Sequence, residues 1–422
     1  MSKVLIAASR FMLVGSSLLL AACGGGSGGS GSSVPVMPSA AASVVGIPAP
    51  PLPPTPPPKP TATASPSAAP TTLSAASLAY LTLDLKTLAN YARPSLPSYY
   101  AGVPENTPAN SPVTDAGATL GRVLFNDKRL SINGAVSCAS CHQQSIGFTD
   151  SRALSLGFVG ALTTKHAMRL GNVRYYAPGT MFWDKRAASI EAQASGPLTS
   201  GTEMGFDTAH GGITALTSSM SALPYYPELF RFVYGDTAIT EARIQQSLAQ
   251  FERGMITTGS RWDVGYARVA NTATPPRSFD IDLPNFTAVE NRGRHLFMAG
   301  PGQGGVGCAA CHAPPTFALS GNAKSNGLDA GETTIFKAPS LKNDSTGPYM
   351  HDGRFTTLAQ VVDHYDRGIL AGPALDPRLT RNGVPVILNL STADKAALVA
   401  FLSTLDDSGF FADARFTSPF KQ

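Results

Sequence analysis

The chain is poor in charge, in tryptophan and in cysteine, and each shortage narrows what it can be. Charged residues make up 14% of its 422 positions, against about a quarter in an ordinary soluble protein. The 32 basic and 28 acidic residues nearly cancel, so neither a basic stripe for nucleic acid nor an acidic tail is present. No apolar run approaches the roughly 20 residues that a membrane-spanning helix needs. No sustained alternation of apolar and polar residues marks β-strands, so strands should be few. Five cysteines in a chain of this length do not make a disulfide-dense scaffold. What these absences leave is a helical protein long enough for two or three domains with a sizeable core.

The N-terminus reads as an address. Lys3 and Arg10 form a positive region, Phe11 to Leu20 a short apolar one, and Leu20-Ala21-Ala22-Cys23 supplies small residues for cleavage. This ending resembles the lipobox of bacterial lipoproteins, whose cysteine, here Cys23, is lipidated and becomes the mature N-terminus. With Gly24 rather than Asp following, the resemblance implies an outer-membrane lipoprotein, on the periplasmic side or at the cell surface. Residues 24–72 are Gly/Ser-rich and then Pro/Ala/Thr-rich, a tether with too few large apolar side chains to repay ordering. The folded body begins near Leu73. Helical spacing predicts helices over Ser77 to Ala92, Ile239 to Met255 and Asp394 to Leu405.

An internal repeat organises that body. Gly121-Arg122-Val123-Leu124-Phe125 precedes Cys138, and Gly293-Arg294-His295-Leu296-Phe297 precedes Cys308. Downstream, Leu170-Gly171-Asn172 leads to Phe182-Trp183-Asp184-Lys185-Arg186, as Leu341-Lys342-Asn343 leads to Met350-His351-Asp352-Gly353-Arg354. The tandem copies give an N-terminal domain over 73–280 and a C-terminal domain over 281–422, divided in Pro275 to Pro284. Each copy carries Cys-x-x-Cys-His: Cys138, Cys141 and His142, then Cys308, Cys311 and His312. Two thiols one helical turn apart can reach the two vinyl groups of a haem, and the following histidine can ligate its iron. A zinc site would bring the pairs about 15–20 residues apart, whereas Cys141 and Cys308 are 167 apart. The reading is an all-α protein of two tandem cytochrome c-like domains, each with one covalent c-type haem.

From about Gly117 to Leu405 the chain resembles the bacterial di-haem cytochrome c peroxidase family, which includes the MauG-type enzymes. Phe182 to Ala187, Glu191-Ala192-Gln193, Gly196-Pro197, Glu203-Met204-Gly205, Pro339 to Asn343 and Pro348 to Gly353 carry the match. The resemblance implies that the first haem is the peroxide site, with Gln193 and Glu203 in its distal pocket and Trp183 as a relay between haems. The chemistry suits those residue types. Before the peroxide O–O bond breaks heterolytically, a proton must move from the inner to the outer oxygen; a carboxyl can carry it and an amide can orient the peroxide.

Two departures from the family pattern stand out. The position of the distal histidine that caps the first haem falls on Phe158, and His166 takes the place of a calcium-site asparagine. Thr346 and Pro348 still match positions whose carbonyls help to bind calcium. At the second haem, the position of the methionine ligand falls on Tyr365, the residue type that MauG-type members use; Met350 and His364 are the rivals. His210 reads as a loop residue, His295 as a packed helical residue, and Met204 as pocket lining.

The implied activity is reduction of hydrogen peroxide at the first haem, with electrons relayed through the second from a small cytochrome c or cupredoxin. The alternative is MauG-type oxidation of Trp or Tyr on a partner protein. A pure electron carrier would need neither Gln193 nor Glu203. The paired motifs predict that the protein, expressed in a periplasm, holds two haems that survive acid-acetone extraction; one haem, or zinc in their place, would overturn the reading.

Overall fold

The computed structural model describes residues 71–271, 278–319 and 321–421. The address with Cys23 and nearly all of the tether lie outside the described residues. Four threonine or serine caps start the helices that frame the molecule. Thr114 Oγ1 accepts from Gly117 N, Thr240 Oγ1 from Arg243 N, Thr287 Oγ1 from Glu290 N and Ser391 Oγ from Asp394 N. Each satisfies an amide that the first helical turn leaves without a partner. The helices they open are Asp115–Asn126, Glu241–Arg253, Ala288–Met298 and Thr392–Leu402.

These helices pack as two pairs, the first with the second and the third with the fourth. Each pair crosses at a glycine of the repeat. A Cβ on Gly121 would lie 2.0 Å from the Ser247 carbonyl oxygen, and one on Gly293 would lie 1.9 Å from that of Ala397. The phenylalanine four residues later seals each crossing. Phe125 meets Phe251 with ring centroids 5.3 Å apart, and Phe297 meets Phe401 at 5.2 Å.

The described residues fall within one compact unit, built around two main apolar clusters. The first holds Leu120, Phe125, Leu248 and Phe251, with Phe410 and Phe416 returning to it from the chain's end. The second holds Phe297, Phe317 and Phe401, together with Tyr99 and Tyr100 from far upstream. Trp262 and Tyr266, on the helix Arg261–Val269, also pack in the second cluster, although they precede the proline-rich boundary of the repeat. Among the described residues, the only strands are Thr380–Arg381 and Val384–Pro385, paired antiparallel.

One expected helix is absent. Over Ser77 to Ala92 only Ala75–Leu78 is helical. Asp84 takes the amide of Lys86 and the hydroxyl of Thr87, and Thr82 N donates to the Pro419 carbonyl. Local side-chain bonds and pairing with the C-terminal segment therefore outcompete the helix. Leu81, Leu85 and Tyr91 are nevertheless buried.

The crossings make a direct prediction. Gly121→Ala and Gly293→Ala each raise helix propensity by about 1 kcal/mol, yet force the paired helices apart, at a cost of about 1–3 kcal/mol or more. Both variants should unfold at lower denaturant than wild type. A raised midpoint would show that the crossings have slack.

Candidate active site

The helix Cys138–Cys141 is a single turn, held by Ser137 N donating to Ser140 Oγ at 3.0 Å. It delivers His142, whose Nδ1 lies 2.9 Å from the Phe148 carbonyl oxygen. A carbonyl can only accept, so Nδ1 carries the proton and Nε2 keeps its lone pair for a metal. The second copy repeats this arrangement. Cys308–Ala310 is a short 3-10 turn, and His312 Nδ1 donates to the Pro339 carbonyl at 3.1 Å. Burial holds both imidazoles in the neutral form that a ligand needs, pushing His142 down and His312 to about 4. None of the four motif cysteines is paired in a disulfide. The donor set fits a covalently held haem in each copy, with the sulfurs available for thioether bonds and one imidazole lone pair free for iron.

The backbone of the two copies also matches. Asn172 and Asn343 are both left-handed, as are Phe148 and Phe317, Phe182 and Met350, and Lys185 and Gly353.

Around the first motif lies a cavity whose wall includes Cys138, Cys141, His142, Gln193 and Glu203. Gln193 stands on the helix Ile190–Thr199, opened by Ser189. A Cβ on Gly196 of that helix would lie 2.7 Å from Phe182, so the Gly-Pro pair lets the helix sit against the turn that bears Trp183. Glu203 is set by its main chain. Its amide donates to Ser200 Oγ at 3.2 Å, and its carbonyl accepts from Phe158 N at 2.9 Å. Burial raises its carboxyl pKa, with Arg186 opposing. A half-buried carboxyl held toward its protonated form beside a primary amide can donate and take back a proton.

Phe158, at the expected histidine position, packs its ring against Gly205 and His210. His166 is buried. Its Nε2 lies 2.9 Å from Thr149 Oγ1, and its Nδ1 lies 3.0 Å from the Ala153 carbonyl. His210 is a surface residue paired with Asp207, and Met204 is buried in the pocket wall. His295 differs from the packed residue expected. It is half exposed because Asp280 draws its Nδ1 outward, at 2.9 Å.

Trp183 spans the two copies. Its indole Nε1 donates to the His166 carbonyl at 2.8 Å, its own carbonyl accepts from Lys337 N, and its ring meets His351 edge-on at 6.4 Å. Beside it, burial lowers the Lys337 ammonium pKa and raises that of the Glu252 carboxyl, each charge drawing the other back. Lys337 Nζ lies 3.3 Å from Met181 Sδ and 4.3 Å from the Tyr176 ring centroid.

At the second motif, Asn326 gathers all three candidate ligands. Its Nδ2 lies 3.4 Å from Tyr365 Oη and 3.5 Å from Met350 Sδ, while its carbonyl accepts from His364 Nε2 at 3.2 Å. His364 and Tyr365 fall in a π-helical turn, His364–Gly368, that follows the helix Leu358–Asp363. An ideal helix would have sent the two rings about 100° apart; here both turn to the same asparagine. Burial pushes the Tyr365 phenol up to about 12, and Asn326 pulls it back.

Asn326, Lys337, Glu252 and Arg169 were not singled out by the sequence. None belongs to a spaced motif, and only the fold brings them to these places. Thr346, expected to offer its carbonyl to calcium, accepts instead from Arg169. Among the described residues, no group of three or more His, Cys, Asp or Glu is placed to hold a metal ion.

Known proteins resemble this chain over much of its length. Residues 115–270 match the family model described as di-haem cytochrome c peroxidase. The methylamine utilization protein MauG of Methylorubrum extorquens is 32% identical over 71% of this chain and 80% of its own length. Cytochrome c551 peroxidase of Nitrosomonas europaea is 31% identical over 62% of this chain and 75% of its own. Among solved structures, a MauG-like protein associated with microbial copper homeostasis superposes with a TM-score of 0.62 at 30% identity, covering 77% of this chain and 98% of that one.

Proposed function

Because this chain belongs to the di-haem cytochrome c peroxidase family, whose membership implies two c-type haems, we propose that it reduces hydrogen peroxide at the haem held by Cys138, Cys141 and His142. In this reading each tandem domain would hold one haem, and the one held by Cys308, Cys311 and His312 would supply the entry point for electrons. The observation that carries the proposal is the meeting of Gln193 and a burial-shifted Glu203 in the cavity beside the first motif. When bound, the haems supply the redox centres.

The chain's own residues do the rest. His142 and His312 each present Nε2, oriented by a carbonyl on Nδ1. Gln193 orients the peroxide, and Glu203 carries a proton from its inner to its outer oxygen. Trp183, hydrogen-bonded to one copy and stacked edge-on against the other, relays electrons. Lys337, a buried amine in the cavity wall, would donate hydrogen bonds to an anionic group of the cofactor, whose charge would offset the burial that lowers its pKa. The donor would be a small cytochrome c or cupredoxin. The protein would work outside the cytoplasm, anchored at Cys23, a reading supported by residues 1–23.

A second reading has one specific observation in its favour. Tyr365, rather than a methionine, occupies the expected ligand register, with Asn326 aimed at its oxygen. An anionic oxygen donor stabilises oxidised iron where a thioether would raise the potential. A second haem so ligated would store oxidising equivalents for Trp or Tyr oxidation on a partner protein.

Glu203→Gln should retain both haems and lose roughly two to four orders of magnitude of peroxide turnover; an unchanged rate would remove Glu203 from the reaction. Near-infrared spectra separate the two readings. A thioether-to-iron charge-transfer band would make Met350 the ligand and favour peroxide reduction. Its absence from wild type and gain in Tyr365→Met, with faster turnover on a cytochrome c donor, would assign Tyr365 and favour protein oxidation.

A further inference from the structure

Calcium between the two copies is what the family resemblance leads one to expect, with the carbonyls of Thr346 and Pro348 among its donors. Calcium takes six to eight oxygen ligands at about 2.3–2.6 Å. The residues gathered here do not offer that shell. The Arg169 side chain, 7% exposed, lies in this place. It pairs through Nε with Asp344, donates through one terminal nitrogen to the Thr346 carbonyl, and reaches the Ile146 carbonyl with the other at 2.6 Å. Three different acceptors thus share one planar guanidinium, two from the second copy and one from the first.

The surroundings fit a fixed cation. The segment bearing Asp344 and Thr346 is tied down from behind, because Ser345 donates its amide and its hydroxyl to Asp406. Gly147 leaves the room that the guanidinium needs, since a Cβ there would lie 2.9 Å from an Arg169 terminal nitrogen. His166, at the expected asparagine position, has both ring nitrogens turned to Thr149 and to the carbonyls of 152 and 153. An arginine is charged at any physiological pH and presents five donors in a rigid fork. It can therefore do permanently what a bound cation would do reversibly, and its charge repels a dication from the same oxygens.

We propose that Arg169 is a built-in replacement for the inter-domain calcium: it straps the 344–346 segment to the first copy, and the protein binds no calcium at Thr346 and Pro348. This inference does not depend on which reaction the haems perform.

The test uses the full-length holoprotein. Its calcium content should be far below one ion per chain after dialysis into calcium-free buffer. Its Tm and its optical and electron paramagnetic resonance spectra should be the same in excess calcium and in EGTA. One tightly held calcium per chain, or a fall in Tm on EGTA treatment, overturns the proposal. Arg169→Gln removes the charge and leaves Asp344 unpaired, so Tm should drop by roughly 5 °C or more. Arg169→Lys keeps the charge, should lose less, and should remain indifferent to calcium. An Arg169→Gln protein as stable as wild type would refute the strap. If that variant does not fold, the calcium content and EGTA response of the wild type still decide.

Discussion

At both helix crossings the chain runs so close that no side chain fits between. The main-chain carbonyls of Ser247 and Ala397 lie where a Cβ on Gly121 or Gly293 would be, and that contact sets the geometry downstream. It brings Phe125 onto Phe251 and Phe297 onto Phe401. In each copy, the chain leaving the crossed helix then turns into Cys-x-x-Cys-His over a buried aromatic floor. The histidine that follows finds a carbonyl on its Nδ1 side, from Phe148 or from Pro339. One steric constraint, used twice, thus leads to two imidazoles presented the same way.

The scaffold is shared, but its polar content is not. The cavity at the first motif is walled by Gln193, Glu203 and Glu252 of the first copy and by Lys337 of the second, and Glu252 and Lys337 are buried ionisable groups. Near the second motif stand Asn326, Tyr365, Met350 and His364, and Arg378, ion-paired with Asp376, donates to the Ala310 carbonyl within the motif itself. What differs between the motifs is the kind of polar group: a carboxyl and an amide lining a cavity at the first, and a phenol, an imidazole and a thioether gathered on one asparagine at the second.

Spaced motifs were legible in the sequence because covalent chemistry fixes their spacing. Cys138 to His142, Cys308 to His312 and the repeated glycine-to-phenylalanine element read directly, as did the helix opened by Thr240. Gln193 and Glu203 were reached through family resemblance, and they line the cavity of the first motif. The helix expected over Ser77 to Ala92 was misread because its apolar spacing reports burial, not helix, and Asp84 and Pro419 take its hydrogen bonds. The side chains that complete the sites were not legible at all. Asn326 is 39 residues from Tyr365 and Arg169 is 175 from Asp344, and no local pattern links such pairs.

The seam between the copies is held by main chain as much as by side chains. Trp183 is anchored in its own copy by an indole N–H to the His166 carbonyl and meets His351 of the other copy edge-on, and His351 itself stacks on Phe336 at 4.2 Å. His166 N donates to the His351 carbonyl in return. A loosely docked pair of domains could not hold an aromatic side chain at fixed distance from both sides, because inter-domain surfaces joined by few bonds move. Here the main chains of residues 166, 183, 337 and 351 are bonded to one another or to the indole directly. The Trp183 side chain is therefore part of the interface, fixed by the same hydrogen bonds that join the two halves.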